Sequence, residues 1–187
     1  MFKLDIEKAF DNVNWDCLFK ILSGLGFSEK WKSWVKRSIC SSMISVLVNG
    51  EAKGYLRASK GLRQGDPLSP GLFALVMDVL SMMLKAVREA GKFEGFYMNE
   101  DSKNGEAAHL MFADDTVIFY DANHSQVLNI LATIVCLQSV TGLRVNLDKS
   151  VMYTAGDVAD PSFYATILGA NGAVIRRSTS ASLLEPN

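Results

Sequence analysis

Alternation of apolar and polar residues at the start of the chain predicts a strand, and helical periodicity follows it. Residues 2–6 read Phe-Lys-Leu-Asp-Ile, the period-two pattern of a half-buried strand. Asn14 is a good N-cap for a helix over about 15–23, and Ser28 is one for a second helix over about 29–40. The chain is therefore predicted to open with one strand and two helices.

The middle of the chain combines a β-hairpin with a long helix. Two β-rich runs, 46–48 and 55–58, are joined through Asn49-Gly50, a strong turn dipeptide. Ser69-Pro70 then opens a segment whose apolar residues recur at helical spacing. We expect this segment to be the long core helix.

A second hairpin is predicted around a pair of acidic residues. Residues 107–113 are mostly apolar and 116–120 are β-rich, with Asp114 and Asp115 between them. An amphipathic helix, ended by Gly142, and two short closing strands follow, over about 124–140, Val145 and 151–153. The order β-α-α-β-β-α-β-β-α-β predicts an α+β fold, an antiparallel sheet backed by helices.

Composition narrows the function classes. The chain has 187 residues, of which 49% are apolar and 21% charged, as in a soluble globular domain. The net charge of −1 is low for a nucleic-acid-binding protein, so any such role needs a local patch. Three widely spaced cysteines favour an intracellular location, nuclear or cytoplasmic, and we expect no membrane span. Residues 156–187 are polar and aperiodic, which predicts an irregular or disordered tail.

Three acidic residues with apolar neighbours are the candidate chemical groups. Asp5 ends the first predicted strand, and Asp114 and Asp115 lie at the predicted hairpin turn. Carboxylates from two strands that meet at one point can hold two Mg²⁺ ions, which suits nucleotidyl transfer. An isolated Asp-Asp pair is more often a solvated turn, so further motifs are needed to choose.

Four ordered motifs provide that support. Residues 3–11, Lys-Leu-Asp-Ile-Glu-Lys-Ala-Phe-Asp, resemble the first catalytic motif of reverse transcriptases. Residues 61–70, Gly-Leu-Arg-Gln-Gly-Asp-Pro-Leu-Ser-Pro, resemble the second, and 112–115, Phe-Ala-Asp-Asp, the third. Residues 142–150, Gly-Leu-Arg-Val-Asn-Leu-Asp-Lys-Ser, are similar to the fourth. The residues of these motifs are most similar to those of non-long-terminal-repeat, LINE-type retrotransposons, and within those to plant-like copies.

The resemblance implies a fold and partners. It covers about residues 1–155 and implies a polymerase palm, with the fingers mostly absent and the thumb absent. The implied activity is RNA-directed DNA polymerase, with an RNA template, a DNA primer and deoxynucleoside triphosphates as partners. The implied cofactor is a pair of Mg²⁺ ions, with Mn²⁺ as a substitute.

The resemblance also implies residue roles. Asp5 and Asp114 are the main metal ligands, with Asp115 beside them and the Ile6 carbonyl completing the shell. Lys149 matches the fourth-motif lysine that protonates or neutralises pyrophosphate, although a solvated surface lysine is nearly as common.

The remaining implied positions contact the nucleotide. Phe10 stands where a bulky ring excludes a 2′-hydroxyl, and a core aromatic is the alternative reading of this residue. Gln64 and Gly65 belong to a loop near the incoming nucleotide and the template.

Two competing functions share these motifs. A non-catalytic retroelement remnant would only bind RNA or a partner, and an RNA-dependent RNA polymerase would also carry the double aspartate. Phe10 disfavours the second, because a ribonucleotide enzyme needs room for the 2′-hydroxyl. We expect the isolated chain to polymerise weakly or not at all.

One basic, aromatic-rich segment remains unassigned. It contains four cations and two tryptophans, namely Lys30, Trp31, Lys32, Trp34, Lys36 and Arg37. It suits a nucleic-acid backbone, or else a helix with its tryptophans in the core and its lysines in solvent.

Overall fold

The structure is a computed structural model of the chain. It describes residues 1–41, 43–97, 106–112, 114–155, 158, 160–169 and 176–178. The elements, in chain order, are β1 Phe2–Leu4, α1 Ala9–Asn12, α2 Trp15–Gly24, α3 Glu29–Cys40, β2 Met43–Val48, β3 Glu51–Arg57, α4 Ser69–Glu89, β4 Phe96–Tyr97, β5 Glu106–Ala107, β6 His109–Phe112, β7 Asp115–Ile118, α5 His124–Thr141, β8 Val151–Ala155, α6 Pro161–Ile167 and β9 Arg176–Ser178.

A mixed five-stranded sheet organises the molecule, in the order β6-β7-β1-β8-β9. β1 is central and runs antiparallel to both neighbours, with Phe2 opposite Ile118 on one side and Met152 on the other. β6 and β7 form the predicted hairpin. The predicted α+β architecture with an antiparallel sheet is thereby confirmed, apart from the parallel edge pair β8 and β9.

One face of the sheet is covered by helices. Phe2, Leu4 and Ile118 are fully buried on that face, in one core cluster with residues of α2, α4 and α5. Successive side chains of a strand point to opposite faces of a sheet. Lys3 and its neighbours at alternate positions therefore lie on the other, open face.

α4 is the long apolar helix predicted from 69–70. Within the described residues it is the one helix whose length and hydropathy would also suit a membrane span. Its apolar stripe is instead buried in the core, at Leu72, Phe73, Val76, Met77, Leu80 and Leu84. It packs against α2 and α5, so its hydropathy is that of a core helix.

The β2–β3 hairpin stands apart from the sheet. Asn49 and Gly50 both have positive φ, which is the turn predicted from this dipeptide. Unlike the core elements, the hairpin exposes large apolar side chains, at Met43, Ile44, Val46, Leu47, Val48, Tyr55 and Leu56. Among the described residues, this is an apolar surface without a covering layer.

The prediction of an irregular tail over 156–187 is wrong for two segments. Asp160-Pro161 starts α6, because the Asp160 carboxylate accepts the Phe163 N–H and proline suits the first helical turn. Arg176–Ser178 is β9, which pairs with β8. The other residues of that tail, apart from 158 and 160–169, lie outside the described residues.

Candidate active site

Asp5 and Asp115 lie on neighbouring strands at the same end of the sheet. The last registered pair of β1 and β7 is Leu4 with Thr116, and one step further the same register sets Asp5 opposite Asp115. Leu4 and Thr116 are fully buried on the core face. Because side chains alternate, the two aspartates share the open face.

Lys3 lies on the same face and forms an ion pair with one of these carboxylates. Its Nζ lies 3.0 Å from Asp115 Oδ1. The hydrogen bond to Asp115 raises the pKa of Lys3, and the charges of Asp115, Tyr153 and Asp5 act in the same direction. The resemblance gave Lys3 no role, but alternation over 2–6 already set it on the face of Asp5, and that signal identifies it.

Asp114 occupies the turn and not a strand. It is exposed and directly precedes β7, whereas Asp115 is the first residue of that strand. Among the residues that the structure describes, no group of three or more His, Cys, Asp or Glu side chains is arranged to hold a metal ion. The site thus consists of a facing pair, Asp5 and Asp115, with Asp114 adjacent in sequence.

The fourth-motif segment anchors the end of β1. Ser150 Oγ accepts the Asp5 N–H at 3.1 Å, and the Asn146 N–H donates to the Asp5 carbonyl at 2.8 Å. Ile6 forms an isolated antiparallel bridge with Val145. The hydrogen bonds on either side of this bridge run from the Asn146 N–H to the Asp5 carbonyl and from the Glu7 N–H to the Arg144 carbonyl. In this pattern the Ile6 carbonyl is directed away from Val145, towards the β7 side of the strand.

α1 and the residues directly after it hold the second motif. The Leu62 N–H donates to the Phe10 carbonyl at 2.7 Å, and the Gly61 N–H donates to the Val13 carbonyl at 2.8 Å. Trp15 Nε1 donates to the Gly61 carbonyl at 2.6 Å. The first and second motifs are therefore one hydrogen-bonded unit, although about fifty residues separate them.

Gln64 and Gly65 lie on an open loop. Gln64 is exposed, and Gly65 has φ +86° with no atom within 4 Å of the position a Cβ would take. Asp66 forms a local turn, in which its carboxylate accepts the Leu68 N–H at 2.8 Å. The loop therefore presents backbone to solvent, a geometry that lets a ligand approach closely.

Phe10 packs partly into the core, as the alternative reading of this residue expects. Its ring stacks on Phe73 with centroids 4.8 Å apart, and Phe73 is buried on α4. Phe10 itself is half-buried. The stack fixes the ring, and the exposed part remains available for contact.

Lys149 is exposed in the turn before β8. Its backbone N–H donates to the Asn146 carbonyl and side chain, at 3.2 and 3.3 Å. The turn thus fixes the backbone of Lys149, while Asn146 also holds Asp5.

The donor set fits a hard divalent cation. Mg²⁺ in proteins is commonly held by one or two carboxylates together with substrate phosphates and water. Asp5 and Asp115 supply two carboxylates on an open face, and Asp114 is next to Asp115 in sequence. Such a set leaves coordination positions for a substrate.

The comparisons with known proteins agree with the motifs. The family described as reverse transcriptase (RNA-dependent DNA polymerase) matches residues 1–179. A Retrovirus-related Pol polyprotein from the type-1 retrotransposable element R2 of Popillia japonica is 30% identical over 159 residues, which are 85% of this chain and 25% of that protein.

Two further relatives come from a fly and a plant. The Retrovirus-related Pol polyprotein from the type-2 retrotransposable element R2DM of Drosophila melanogaster is 30% identical over 96% of this chain and 16% of its own length. An uncharacterised mitochondrial protein of Arabidopsis thaliana is 41% identical over 42% of this chain and 62% of its own length. The chain spans a quarter or less of both retrotransposon polyproteins.

A solved structure shares the fold. Apo telomerase from Candida tropicalis, truncated from its C-terminal domain, superimposes with a TM-score of 0.58 at 22% identity. The superposition covers 80% of this chain and 29% of that chain. Together with the match over residues 1–179, these findings show that the chain belongs to the reverse transcriptase family, with relatives in non-long-terminal-repeat, LINE-type retrotransposons.

Proposed function

We propose that this chain is the catalytic palm of an RNA-directed DNA polymerase that adds deoxynucleotides to a primer 3′-end with two divalent ions. The observation that supports the proposal is the pairing of β1 with β7, which sets Asp5 opposite Asp115 on the open face of the sheet. RNA-directed DNA polymerisation is the activity of the family, and that family generally uses divalent metal ions. The RNA template, the DNA primer and the nucleotide are the partners that we assign.

Asp5, Asp115 and Asp114 would hold the ions, with the Ile6 carbonyl as a further ligand. When bound there, Mg²⁺ supplies activation of the primer 3′-hydroxyl and charge neutralisation at the triphosphate. The 3′-oxygen forms a bond to the α-phosphorus as the bond to pyrophosphate breaks. Lys3 holds Asp115 through the ion pair and so orients one carboxylate before substrate enters.

The remaining residues act on the nucleotide. Gln64 and the open backbone at Gly65 bind near the base and the template, and Lys149 neutralises or protonates the pyrophosphate that leaves. The Phe10 ring, fixed by Phe73, excludes a 2′-hydroxyl. Each of these roles concerns positioning, on which phosphoryl transfer depends strongly.

Metal binding tests the site directly. We expect the chain to bind Mn²⁺, followed by the electron paramagnetic resonance signal of the free ion, and we expect Asp5→Asn and Asp115→Asn each to weaken that binding by at least tenfold. Asp78→Asn is the matched control, because Asp78 is an exposed aspartate on α4. Equal binding by Asp5→Asn and Asp78→Asn would instead favour the remnant that only binds RNA or a partner.

Nucleotide selection tests Phe10 without turnover. In competition binding of a fluorescent deoxynucleoside triphosphate, Phe10→Ala should bring the affinity for the ribonucleotide closer to that for the deoxynucleotide. Phe10→Tyr keeps a ring that can stack on Phe73 and should preserve the preference. An unchanged preference in Phe10→Ala would remove this role.

We also propose that the chain alone extends a primer weakly or not at all. Asp114 is exposed and Gly65 lies on an open loop, so the described residues leave this side of the site open to solvent, and an open site positions a primer and a template poorly. Primer extension on an RNA template with Mg²⁺ and deoxynucleotides measures this, with Asp5→Asn as the blank. Robust extension by the 187-residue chain would contradict the proposal of weak activity and support that of the site.

A further inference from the structure

α3 carries a tryptophan in an unusual position. The helix buries Val35 and Ile39, and Trp31 stacks on Phe27 with ring centroids 4.4 Å apart. Trp34, by contrast, is 57% exposed. Of the two readings of this segment, the core reading therefore suits Trp31, and Trp34 requires another explanation.

A cation already lies against the Trp34 ring. Lys30 Nζ is 5.2 Å from the ring centroid, within the range of a cation–π contact. This contact engages one face of the indole, and the high exposure of the residue leaves further ring surface free. A flat, exposed and charge-assisted ring is the kind of platform on which a nucleic-acid base stacks.

Next to this platform, three cations line one depression. The depression has a volume of about 510 Å³ and is formed by the C-terminal half of α3 and the ends of the β2–β3 hairpin. It is lined by Ser33, Lys36, Arg37, Cys40, Ser41, Met43 and Arg57, among which there is no carboxylate. Within the described part of the chain, Lys36, Arg37 and Arg57 have no ion-pair partner.

The neighbouring depression shows that charge compensation is available on this helix. It includes Asp16 and Glu29, and there Lys32 pairs with Glu29. The chain as a whole has a net charge of −1. Arg37 and Arg57 line only the depression without a carboxylate, whereas Lys36 lines both depressions. The positive charge of the two arginines is therefore a local feature of this surface, and it favours a bound anion.

We propose that Trp34, Lys30, Lys36, Arg37 and Arg57 form an accessory binding surface for single-stranded nucleic acid. Arg37 and Arg57 bind backbone phosphates through their planar guanidinium groups, and Trp34 stacks on a base. None of these residues belongs to the four motifs. The surface therefore adds to the proposed polymerase function and does not depend on metal binding at Asp5.

The test measures binding of the whole chain to labelled single-stranded RNA and DNA in EDTA, without nucleotides. We expect Arg37→Gln/Arg57→Gln to weaken binding about tenfold and to lower the salt slope, log K against log salt, by about 1.4. Lys85→Gln/Lys92→Gln is the matched control, because it removes the same charge from exposed lysines elsewhere. Arg37→Lys/Arg57→Lys should retain most of the affinity.

Stacking has its own readout. Binding of an oligonucleotide should quench the fluorescence of Trp34, and Trp34→Ala should weaken single-strand binding about tenfold with a smaller effect on duplex DNA. Circular dichroism melting confirms that each variant is folded. Loss of affinity in the control equal to that in Arg37→Gln/Arg57→Gln would overturn the proposal.

Two further results would also overturn it. Equal affinity for duplex and single strands, unaffected by Trp34→Ala, would reduce the surface to general electrostatic attraction. Binding of vesicles of anionic lipid, with no oligonucleotide binding, would assign the cations to a membrane surface. Oligonucleotide binding is measured in EDTA, where no metal ion is bound, and metal binding is measured without oligonucleotide, so failure of the metal site and failure of this surface are distinguishable.

Discussion

At the scale of single residues, Gly61 and Gly65 have nearly the same backbone φ angle but differ in the space that surrounds them. Their φ angles are +90° and +86°. A Cβ at Gly61 would lie 2.7 Å from the Asp11 carbonyl oxygen, whereas a Cβ at Gly65 would meet nothing within 4 Å. Gly61 thus permits the contact between the first and second motifs, and Gly65 only a turn.

This difference gives a matched pair of variants. Gly65→Ala should cost about 1–2 kcal/mol of stability, from the left-handed backbone alone. Gly61→Ala carries the same cost and adds about 1–3 kcal/mol for the clash with Asp11. Urea unfolding of both variants measures the difference, and equal midpoints would contradict the tight contact.

The sequence reveals part of this residue scale. The four motifs make Asp5, Asp114 and Asp115 the candidate metal ligands, because metal binding needs carboxylates. The sequence does not reveal the ion pair of Lys3 with Asp115, since that contact requires the register of β1 against β7. Nor does it separate Trp31 from Trp34, because an amphipathic pattern sets the buried stripe only to within about one residue.

At the scale of elements, a half-buried histidine links β6 to α4. His109 Nε2 lies 2.7 Å from Ser81 Oγ, and its Nδ1 is buried without a hydrogen-bond partner. Burial lowers the pKa of His109, and the charge of Arg88 acts in the same direction. Folding therefore favours the neutral form of this ring.

The sign of the pH dependence follows. Below its ordinary pKa the histidine of the unfolded chain gains a proton that folded His109 resists, so stability is full above about pH 6.5 and falls as the pH drops further. Thermal unfolding from pH 7.5 to 5.5 should show a smaller loss in His109→Gln. His124→Gln, at the exposed second histidine, should behave as the wild type.

The β2–β3 hairpin is the element that we expect to promote self-association. Leu47 and Tyr55 are 71% and 72% exposed, and hairpins with unpaired edges and apolar faces associate readily. We expect the chain to self-associate at micromolar concentration, and Leu47→Lys/Tyr55→Lys to reduce this. Met82→Lys, at an exposed position of α4, is the control in sedimentation velocity measurements, and equal effects would contradict a role of the hairpin.

At the scale of the whole molecule, α4 decides whether the chain folds as a globule. Leu80 is fully buried and Met82 is 57% exposed on the same helix. Leu80→Ala should cost about 2–5 kcal/mol, and Met82→Ala should stay within about 0.5 kcal/mol. Chemical denaturation measures both, and comparable losses would contradict the burial of this stripe in a protein core.

The long helices and the first hairpin were more predictable from the sequence than the short elements. Long periodic segments gave α2, α3, α4 and α5, and Asn49-Gly50 gave the first hairpin, because local patterns determine these elements. α1, β4, α6 and β9 were missed. α1 has four residues, too few for a period, and β9 depends on pairing with β8 far along the chain.

The hydrogen bonds that join α1 and Val13 to Gly61 and Leu62 have a consequence for how copies of a retrotransposon decay in a genome. A copy can keep every aspartate and still lose its working geometry through one replaced glycine. Gly142 is a second such point, since a Cβ there would lie 2.8 Å from the Asn12 carbonyl oxygen. Surveys that rank genomic copies by coding potential should therefore check Gly61 and Gly142 together with Asp5, Asp114 and Asp115.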